Sequence, residues 1–505
     1  MISTKTNPTK TAPNFLPLSY KHLSAALLAG LALRLYFITH FQIYAGDTKF
    51  YEELARNWLD YGAYGVILHG QLVPLDMRMP GYPAFLAAIY AIFGRADKTV
   101  MAVQAIVDLM TCILAALIAA RLAPASKRTL VATIALWMAA LCPFTANYTA
   151  VVLTETLAIF LTTLTLLVFV CIIDHPWMDR PLHSFDRRSL LSAVGWFLLG
   201  GVLVGVGTLV RPETPLLLIA VGLVLSVRWR RSVDWPKLAL AILWMAVGLL
   251  LPLMPWAVRN ARTLGRIEFL APRYAQTQGD YIPVGFYGWT RTWMVRFADA
   301  YSGPWKLNKA PILIETLPSS AFDSAAERAR VESLLSRYNS DLKMTPTIDR
   351  GFALLAHERT ARHPMRTYVF IPMLRAWAIW FTPRIELLPY SGKLWPPLKQ
   401  WRNRSTDFDV TLGFGILNCI YLGLAFVGAW RCRRHPALAL LVAFIVIRTA
   451  FLTQLQTVEP RYVIVCFPML LALGAQTWAK TRPGASVASG ISMAAKPGGT
   501  LRSDL

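Results

Sequence analysis

Acids and arginines able to do base or anion chemistry stand in short polar motifs that are far apart along the chain. Asp47 lies in Gly46-Asp47-Thr48-Lys49-Phe50-Tyr51-Glu52-Glu53, and Arg78 in Asp76-Met77-Arg78-Met79-Pro80-Gly81-Tyr82-Pro83. Glu155 occurs in Leu153-Thr154-Glu155-Thr156, and Arg211 in Val210-Arg211-Pro212-Glu213. Arg259 follows in Pro255-Trp256-Ala257-Val258-Arg259-Asn260, then Glu459, Arg461 and Tyr462 in Glu459-Pro460-Arg461-Tyr462. A carboxylate within hydrogen-bond reach of a hydroxyl takes its proton as a bond forms, and a guanidinium pairs bidentately with a phosphate. Together they suggest a base beside an anion site.

Each group also has an ordinary explanation. Asp47 caps a helix running from Thr48 onward, or it serves as a base. Arg78 meets a plain lipid headgroup, or it grips a ligand phosphate. A carboxylate in an apolar run costs up to about 3 kcal/mol, so Glu155 faces a cavity or pairs with an arginine, for which Arg211 is a candidate. Pro80, Gly81 and Pro83 read as a turn that delivers the chain to the next helix.

The elements that must position these groups are membrane helices. The chain has 505 residues, 55% hydrophobic and 16% charged, far from the roughly 25% charge of soluble domains. A span needs about 20 mostly apolar residues. Ten runs qualify: 21–43, 99–121, 129–148, 151–173, 190–210, 214–228, 238–257, 410–430, 437–456 and 461–479. The first contains Arg34 and no small-residue cleavage site, so it is expected to be a retained anchor. Two further apolar stretches, 82–93 and 368–381, are expected to lie along the interface.

With the N-terminus inside, the basic loops holding Lys127 and Arg128, then Arg180, Arg187 and Arg188, then Arg228, Arg230 and Arg231, then Arg431, Arg433 and Arg434 all fall on the cytoplasmic face. The net charge of +23 is therefore largely topological, and nucleic acid is not an expected partner. The six cysteines follow no metal-ligand or redox spacing and read as small hydrophobes. No internal repeat of the transporter kind is visible.

The resulting layout is a cytoplasmic tail at 1–20, a transmembrane core at 21–257 with a first outer loop at 44–98, and an outer segment at 258–409. C-terminal spans follow at 410–480, then a Gly/Ser/Ala/Pro-rich cytoplasmic tail at 481–505 expected to be disordered. Helices are expected at 322–339, after an Asp323/Ser324 cap signal, and at 348–363. The aromatics Tyr281, Phe286, Tyr287, Trp289 and Trp293 read either as a sugar-stacking surface or as interface anchors. In this topology Asp47, Arg78, Glu155, Arg211, Arg259 and Arg461 all reach one outer face.

An Asp after the first span, R-x-P-G-Y-P at Arg78 to Pro83, a Thr-Glu pair at 154–155, Arg211-Pro212, Pro-Trp-x-x-Arg-Asn at 255–260 and Glu-x-Arg-Tyr at 459–462 resemble the GT-C superfamily of integral-membrane glycosyltransferases. Within it, the chain resembles bacterial members of the protein O-mannosyltransferase and aminoarabinose transferase group, over about residues 25–480. The resemblance implies an all-α polytopic bundle of about ten transmembrane helices in a bacterial inner membrane. It also implies a polyprenyl-phosphate sugar donor, a cell-envelope acceptor on the extracytoplasmic side and inversion at the sugar.

Carried onto this chain, it makes Asp47 the catalytic base and Glu155 a second acid. Arg78, Tyr82, Arg211, Arg259, Glu459, Arg461 and Tyr462 become substrate-binding residues. The chain departs where many relatives have an acid after the loop Asp, since Thr48 stands there, and where Arg78-Met79-Pro80 replaces the Lys-Pro-Pro of aminoarabinose transferases. No dedicated metal cage is legible, and a divalent ion between two rim carboxylates stays open. Sugar and acceptor stay open too, the latter among lipid A, lipopolysaccharide core, other cell-wall glycans and protein hydroxyls. A polyprenyl-linked glycan flippase is the alternative, and its charges would follow a path through the membrane.

Overall fold

The computed structural model describes residues 18–230, 234–274 and 281–479. Most of the N-terminal tail, Arg231 and the C-terminal tail expected to be disordered lie outside the described residues. The chain is a multi-pass membrane protein built almost wholly from helices. Among the described residues, seven helices are long and apolar enough to cross a bilayer: Tyr20–His40, Asp97–Leu122, Glu155–Ile173, Arg187–Val210, Trp235–Leu264, Ser405–Arg431 and Pro460–Trp478.

The remaining three expected spans depart from straight full-length helices. The run at 129–148 breaks between Arg128–Ala140 and Pro143–Asn147, and the bent pair counts as an eighth crossing at 41°. Pro143 cannot donate into the preceding turn, which forces the break. The Ala140 carbonyl at the bend accepts from Arg34 Nη1 at 2.8 Å. Leu216–Arg230 and Pro436–Leu452 have 15 and 17 residues, the first shifted two positions along from its run at 214–228 and the second ending at Leu452, short of its run's end at 456. The first starts late because Pro212 and Pro215 keep 212–215 in turns.

Small residues let helices approach closely where no hydrophobic drive separates protein from lipid. Gly201 and Gly248 form such a seam between Arg187–Val210 and Trp235–Leu264, since a Cβ on either would stand 2.3 or 2.4 Å from a facing carbonyl. Gly81 does the same at the start of helix Gly81–Phe93, where a Cβ would meet the Leu209 carbonyl at 2.6 Å. That contact brings the Arg78 turn beside the end of the helix preceding Arg211. Inside the bundle, Arg34 and Asp108 form a buried ion pair at 2.6 Å that joins helices Tyr20–His40 and Asp97–Leu122. Four cysteines are buried, Cys171 is half-buried and Cys419 is exposed.

The first loop contains a hairpin that the sequence pattern did not reveal, Gly65–Leu68 paired antiparallel with Gln71–Pro74. Its turn, His69-Gly70, has positive φ at both residues, the geometry that matches strand twist. The helix Trp235–Leu264 runs past the expected boundary at 257 and carries Arg259 and Asn260 on its last turns.

Between that helix and Ser405–Arg431 stands a separate packed unit. Ser324 caps helix Ala325–Asp341 by accepting from the Glu327 amide, and Thr345 caps Pro346–Arg362 likewise. Phe286, Trp289, Trp293, Tyr338 and Phe352 fill its core. These buried rings answer the open question about the 281–293 aromatics: Phe286, Trp289 and Trp293 are neither a sugar surface nor lipid anchors.

Candidate functional site

Asp47 sits in the first turn of helix Gly46–Tyr61 and does not act as its cap, because Ala45 holds that position. Its carboxylate is shared instead. Oδ1 accepts from Arg78 Nη2 at 3.0 Å and Oδ2 from Arg461 Nη2 at 3.3 Å. Three segments separated by 31 and 414 positions thus meet on one side chain. Burial by itself raises the Asp47 carboxyl, but the two guanidinium groups outweigh it and hold the group below its ordinary value.

The charges continue inward from this point. Arg461 Nε lies 2.6 Å from Glu459 Oε2 and 3.7 Å from Glu155 Oε1. Glu155 Oε1 accepts from Arg211 Nη2 at 2.6 Å, and Arg211 Nε donates to the Thr154 hydroxyl at 3.1 Å. Glu213 then sits between Arg211 at 3.4 Å and Arg448 at 3.1 Å. The Tyr462 hydroxyl donates to Glu459 Oε1 at 2.7 Å, and its ring lies under the guanidinium of Arg211.

This network alternates sign along its length, which is how buried charge is tolerated in an apolar surround. It also has a direction. Glu155 is 1% exposed, whereas Asp47 and Arg78 at the far end are 31% and 27% exposed. A ligand therefore meets Asp47, Arg78 and Arg461 first. Among the described residues Glu155 Oε2 is buried with no hydrogen-bond donor, so one carboxylate oxygen is unpaired inside.

A polar clamp holds the Glu155 segment in place. Residues 144–156 are continuously buried, and much of that stretch is not regular α-helix, so its carbonyls need outside donors. Gln104 Nε2 donates to the Val151 and Thr149 carbonyls at 2.8 and 3.3 Å. The Tyr82 hydroxyl donates to Gln104 Oε1 at 2.8 Å and so fixes which way the amide points. The Thr48 hydroxyl donates to the Val152 carbonyl at 3.2 Å.

Of the residues singled out from sequence, Asp47, Arg78, Glu155, Arg211, Glu459, Arg461 and Tyr462 come together. Tyr82 is fully buried against Gln104, one layer behind them, with its ring edge-on to Tyr51 at 5.2 Å. Arg259 is not joined to the network. Its Nη1 donates to the Leu75 carbonyl at 2.8 Å and to Asn260 Oδ1 at 2.9 Å, its Nη2 donates to the Tyr64 carbonyl, and its guanidinium lies over Tyr64 and Trp256. It anchors the hairpin to the end of a long helix.

Arg448 and Gln104 belong to the arrangement and were not singled out, although each is a polar group inside an expected span. That is the same signal that drew attention to Glu155.

Among the described residues, no group of three or more His, Cys, Asp or Glu side chains is close enough to hold a metal ion. Two surface cavities of about 530 and 460 Å³ are lined by Arg362, His363, Arg366 and Phe370, and by Asp179, Arg180, Arg228 and Asp234. Neither includes a residue of the network.

Solved membrane glycosyltransferases are similar to this chain. One is the archaeal oligosaccharyltransferase AglB from Archaeoglobus fulgidus in complex with an inhibitory peptide and a dolichol-phosphate, with 13% identity and TM-score 0.43 over 91% of this chain and 50% of that one. An Archaeoglobus fulgidus oligosaccharyltransferase in the apo form has 14% identity and TM-score 0.46 over 90% of this chain and 50% of that one. ArnT from Cupriavidus metallidurans bound to undecaprenyl phosphate has 15% identity and TM-score 0.37 over 90% of this chain and 78% of that one. The chain thus spans about half the length of the oligosaccharyltransferase. No protein-family model and no curated protein sequence matches it.

Proposed function

We propose that the protein is an integral-membrane glycosyltransferase that moves a sugar from a polyprenyl-phosphate donor to a hydroxyl of a cell-envelope acceptor on the extracytoplasmic side. The observation that carries this reading is the sharing of Asp47 by Arg78 and Arg461 at the exposed end of a buried charge network. A base and two anion-binding groups then stand within one ligand's reach.

In the reaction the bond between the sugar's anomeric carbon and the phosphate oxygen breaks, and polyprenyl phosphate leaves as an anion. Arg78 and Arg461 stabilise the charge that grows on it. The acceptor oxygen bonds to the anomeric carbon from the opposite side, and its proton passes to Asp47. One in-line displacement with one base inverts the configuration.

The pairing also explains how a carboxylate held below its ordinary value can work as a base. In the free protein two arginines stabilise Asp47 as an anion and weaken its pull on a proton. A donor phosphate competes for the same guanidinium groups. As they turn to it, Asp47 loses partners and gains basicity at the moment the donor is in place. Glu155 keeps Arg211 and Arg461 on that side of the network.

The test is release of polyprenyl phosphate from a radiolabelled polyprenyl-phosphate sugar by the purified protein in nanodiscs. Turnover by the wild-type chain and its loss in Asp47→Asn, with donor binding retained, support the reading. Movement of the intact donor across the bilayer with no bond broken would make the protein a flippase and sink it.

A further inference from the structure

The aromatic stretch whose rings proved to be core has a neighbour that is not. Phe297, Tyr301 and Trp305 follow at intervals of four, and among the described residues they enter none of the buried apolar clusters. They pack on one another instead. Tyr301 and Trp305 have ring centroids 4.6 Å apart at 69°, Phe297 and Trp305 5.2 Å at 82°, and Phe297 and Tyr301 5.5 Å at 70°. Edge-to-face contacts of this kind hold rings in fixed orientations. Yet Tyr301 is 57% and Trp305 39% exposed. Scattered exposed rings are ordinary, whereas two exposed rings locked against a half-buried third are a surface with an occupant to explain.

Its position says what that occupant is. Arg375, itself buried, clamps the chain just before the trio to the segment just before Glu459. Its Nε donates to the Met294 carbonyl at 2.8 Å, and its Nη1 to the carbonyls of Thr453 at 2.9 Å and Leu455 at 3.1 Å. Arg291 reaches across to Gln454 in the same direction. Phe297 comes three residues after Met294, and Glu459 four residues after Leu455. The chain leading into the trio is therefore tied to the segment leading into Glu459 and Arg461. Tyr301 feels both: after burial, Glu459 pushes its hydroxyl up and Arg461 opposes.

From this placement we propose that Tyr301 and Trp305, braced by Phe297, form a platform on which a sugar ring stacks while its far side reaches Arg461 and Asp47. Sugar rings present C–H faces to aromatic faces and hydroxyls to charged groups, and this surface offers both side by side. A lipid chain matches the rings but leaves the neighbouring carboxylate and guanidinium without partners. The inference rests on the glycosyltransferase reading for its choice of ligand. It adds an apolar face for the sugar ring, which the arginines and Asp47 do not offer. The sugar is either the one being transferred or the acceptor's own.

The experiment reads binding without turnover, so the two readings fail separately. Asp47→Asn protein in nanodiscs is mixed with methyl hexopyranosides and methyl pentopyranosides, and saturation transfer to the sugar C–H protons is measured by NMR. Transfer to at least one glycoside is expected, reduced about fivefold when Tyr301→Ala and Trp305→Ala are combined and retained in Tyr301→Phe. A short-chain polyprenyl-phosphate hexose is then added. Displacement of the glycoside assigns the platform to the donor's sugar, and joint binding assigns it to the acceptor's.

No transfer to any glycoside, or transfer indifferent to the double substitution, overturns the proposal. So does a fluorophore at Trp305→Cys that is quenched by nitroxide lipids but not by aqueous iodide, which would make the trio a membrane anchor. Polyprenyl phosphate release by wild-type protein, measured separately, reports on the transferase reading whichever way the platform falls.

Discussion

The Thr48 hydroxyl donates to the Val152 carbonyl across 3.2 Å, so the residue next to Asp47 is tied to the chain three positions before Glu155. Thr48 is fully buried, and its bond spans 104 positions of sequence. The two acids assigned to the site are thereby held in one frame, with the Gln104 clamp fixing the other side of the same segment.

Removing that tie is expected to lower turnover more than binding. Thr48→Val keeps the shape and loses the donor, leaving a buried carbonyl unpaired. A kcat about tenfold lower with donor KM within about twofold is expected, because displacement of a base by a fraction of an ångström penalises the chemical step. Thr48→Ser restores the hydroxyl and should restore kcat. Steady-state kinetics of the three proteins decide it, and equal kcat values for Val and Ser would remove Thr48 from any positioning role.

Arg78 is expected to act on the donor. Arg78→Gln removes a charge-assisted contact to phosphate, typically about 1.5–3 kcal/mol, so donor KM should rise about tenfold or more. Titrating the polyprenyl-phosphate sugar at saturating acceptor measures it. An unchanged KM means that the phosphate does not sit at Arg78.

The pH dependence follows from the sign of the Asp47 shift. Its carboxyl lies below the ordinary value of 3.8 in the free protein, burial raising it and Arg78 and Arg461 lowering it further. The stability this contributes is present above the unfolded value and is lost as pH falls through the folded one. Protonation of Asp47 should therefore leave kcat/KM flat down to mildly acidic pH. The acid limb of kcat, which reports the donor complex, should lie at higher pH than that of kcat/KM, because bound phosphate draws the arginines away. In Arg78→Gln both limbs should move up. Profiles with coincident limbs in the wild type would contradict competition between phosphate and Asp47.

Glu155 and Arg211 are expected to matter for stability as well as for the site. Their contact is 2.6 Å, with side chains 1% and 10% exposed. Breaking a buried pair costs about 3–5 kcal/mol where a charge is left alone, and less here because Arg461 stays 3.7 Å from Glu155 and Glu213 stays 3.4 Å from Arg211. Glu155→Gln and Arg211→Met should each lower Tm in thermal unfolding, and the double variant should recover part of the loss. A Tm unchanged in Glu155→Gln alongside lost turnover would make Glu155 purely a group of the reaction.

The parts of this arrangement that were legible in the sequence share one feature. Asp47, Arg78, Glu155, Arg211 and Arg461 are polar groups at the ends of apolar runs, and the cost of burying charge in lipid makes such residues stand out. Arg259 meets the same description and does something else, because its donors are taken by the Tyr64 and Leu75 carbonyls. Arg448 and Gln104, set inside the runs, carry the same signal, and what the sequence does not show is that they reach this site rather than a helix contact elsewhere. Periodicity was equally silent on the hairpin at 65–74, whose strands of four residues are too short to show alternation.

The aromatics make the same point from the other side. Trp289 and Trp293 are buried, and Tyr301 and Trp305 are exposed, yet composition treats all four alike. Which ring faces inward depends on how helices Val284–Arg291 and Pro346–Arg362 pack, a relation between segments some sixty residues apart.

By itself the sequence determined that this chain lives in a membrane, roughly where its apolar helices lie, and which charged groups are too costly there to be accidental. Those are matters of transfer free energy, which each segment carries alone. Only the tertiary structure decided that Arg78 and Arg461 share Asp47, that Tyr82 serves Gln104 and that Arg259 stands apart. Hydrogen bonds act over about 3 Å, so their partners are chosen by the packing of distant segments and by no property of either segment alone.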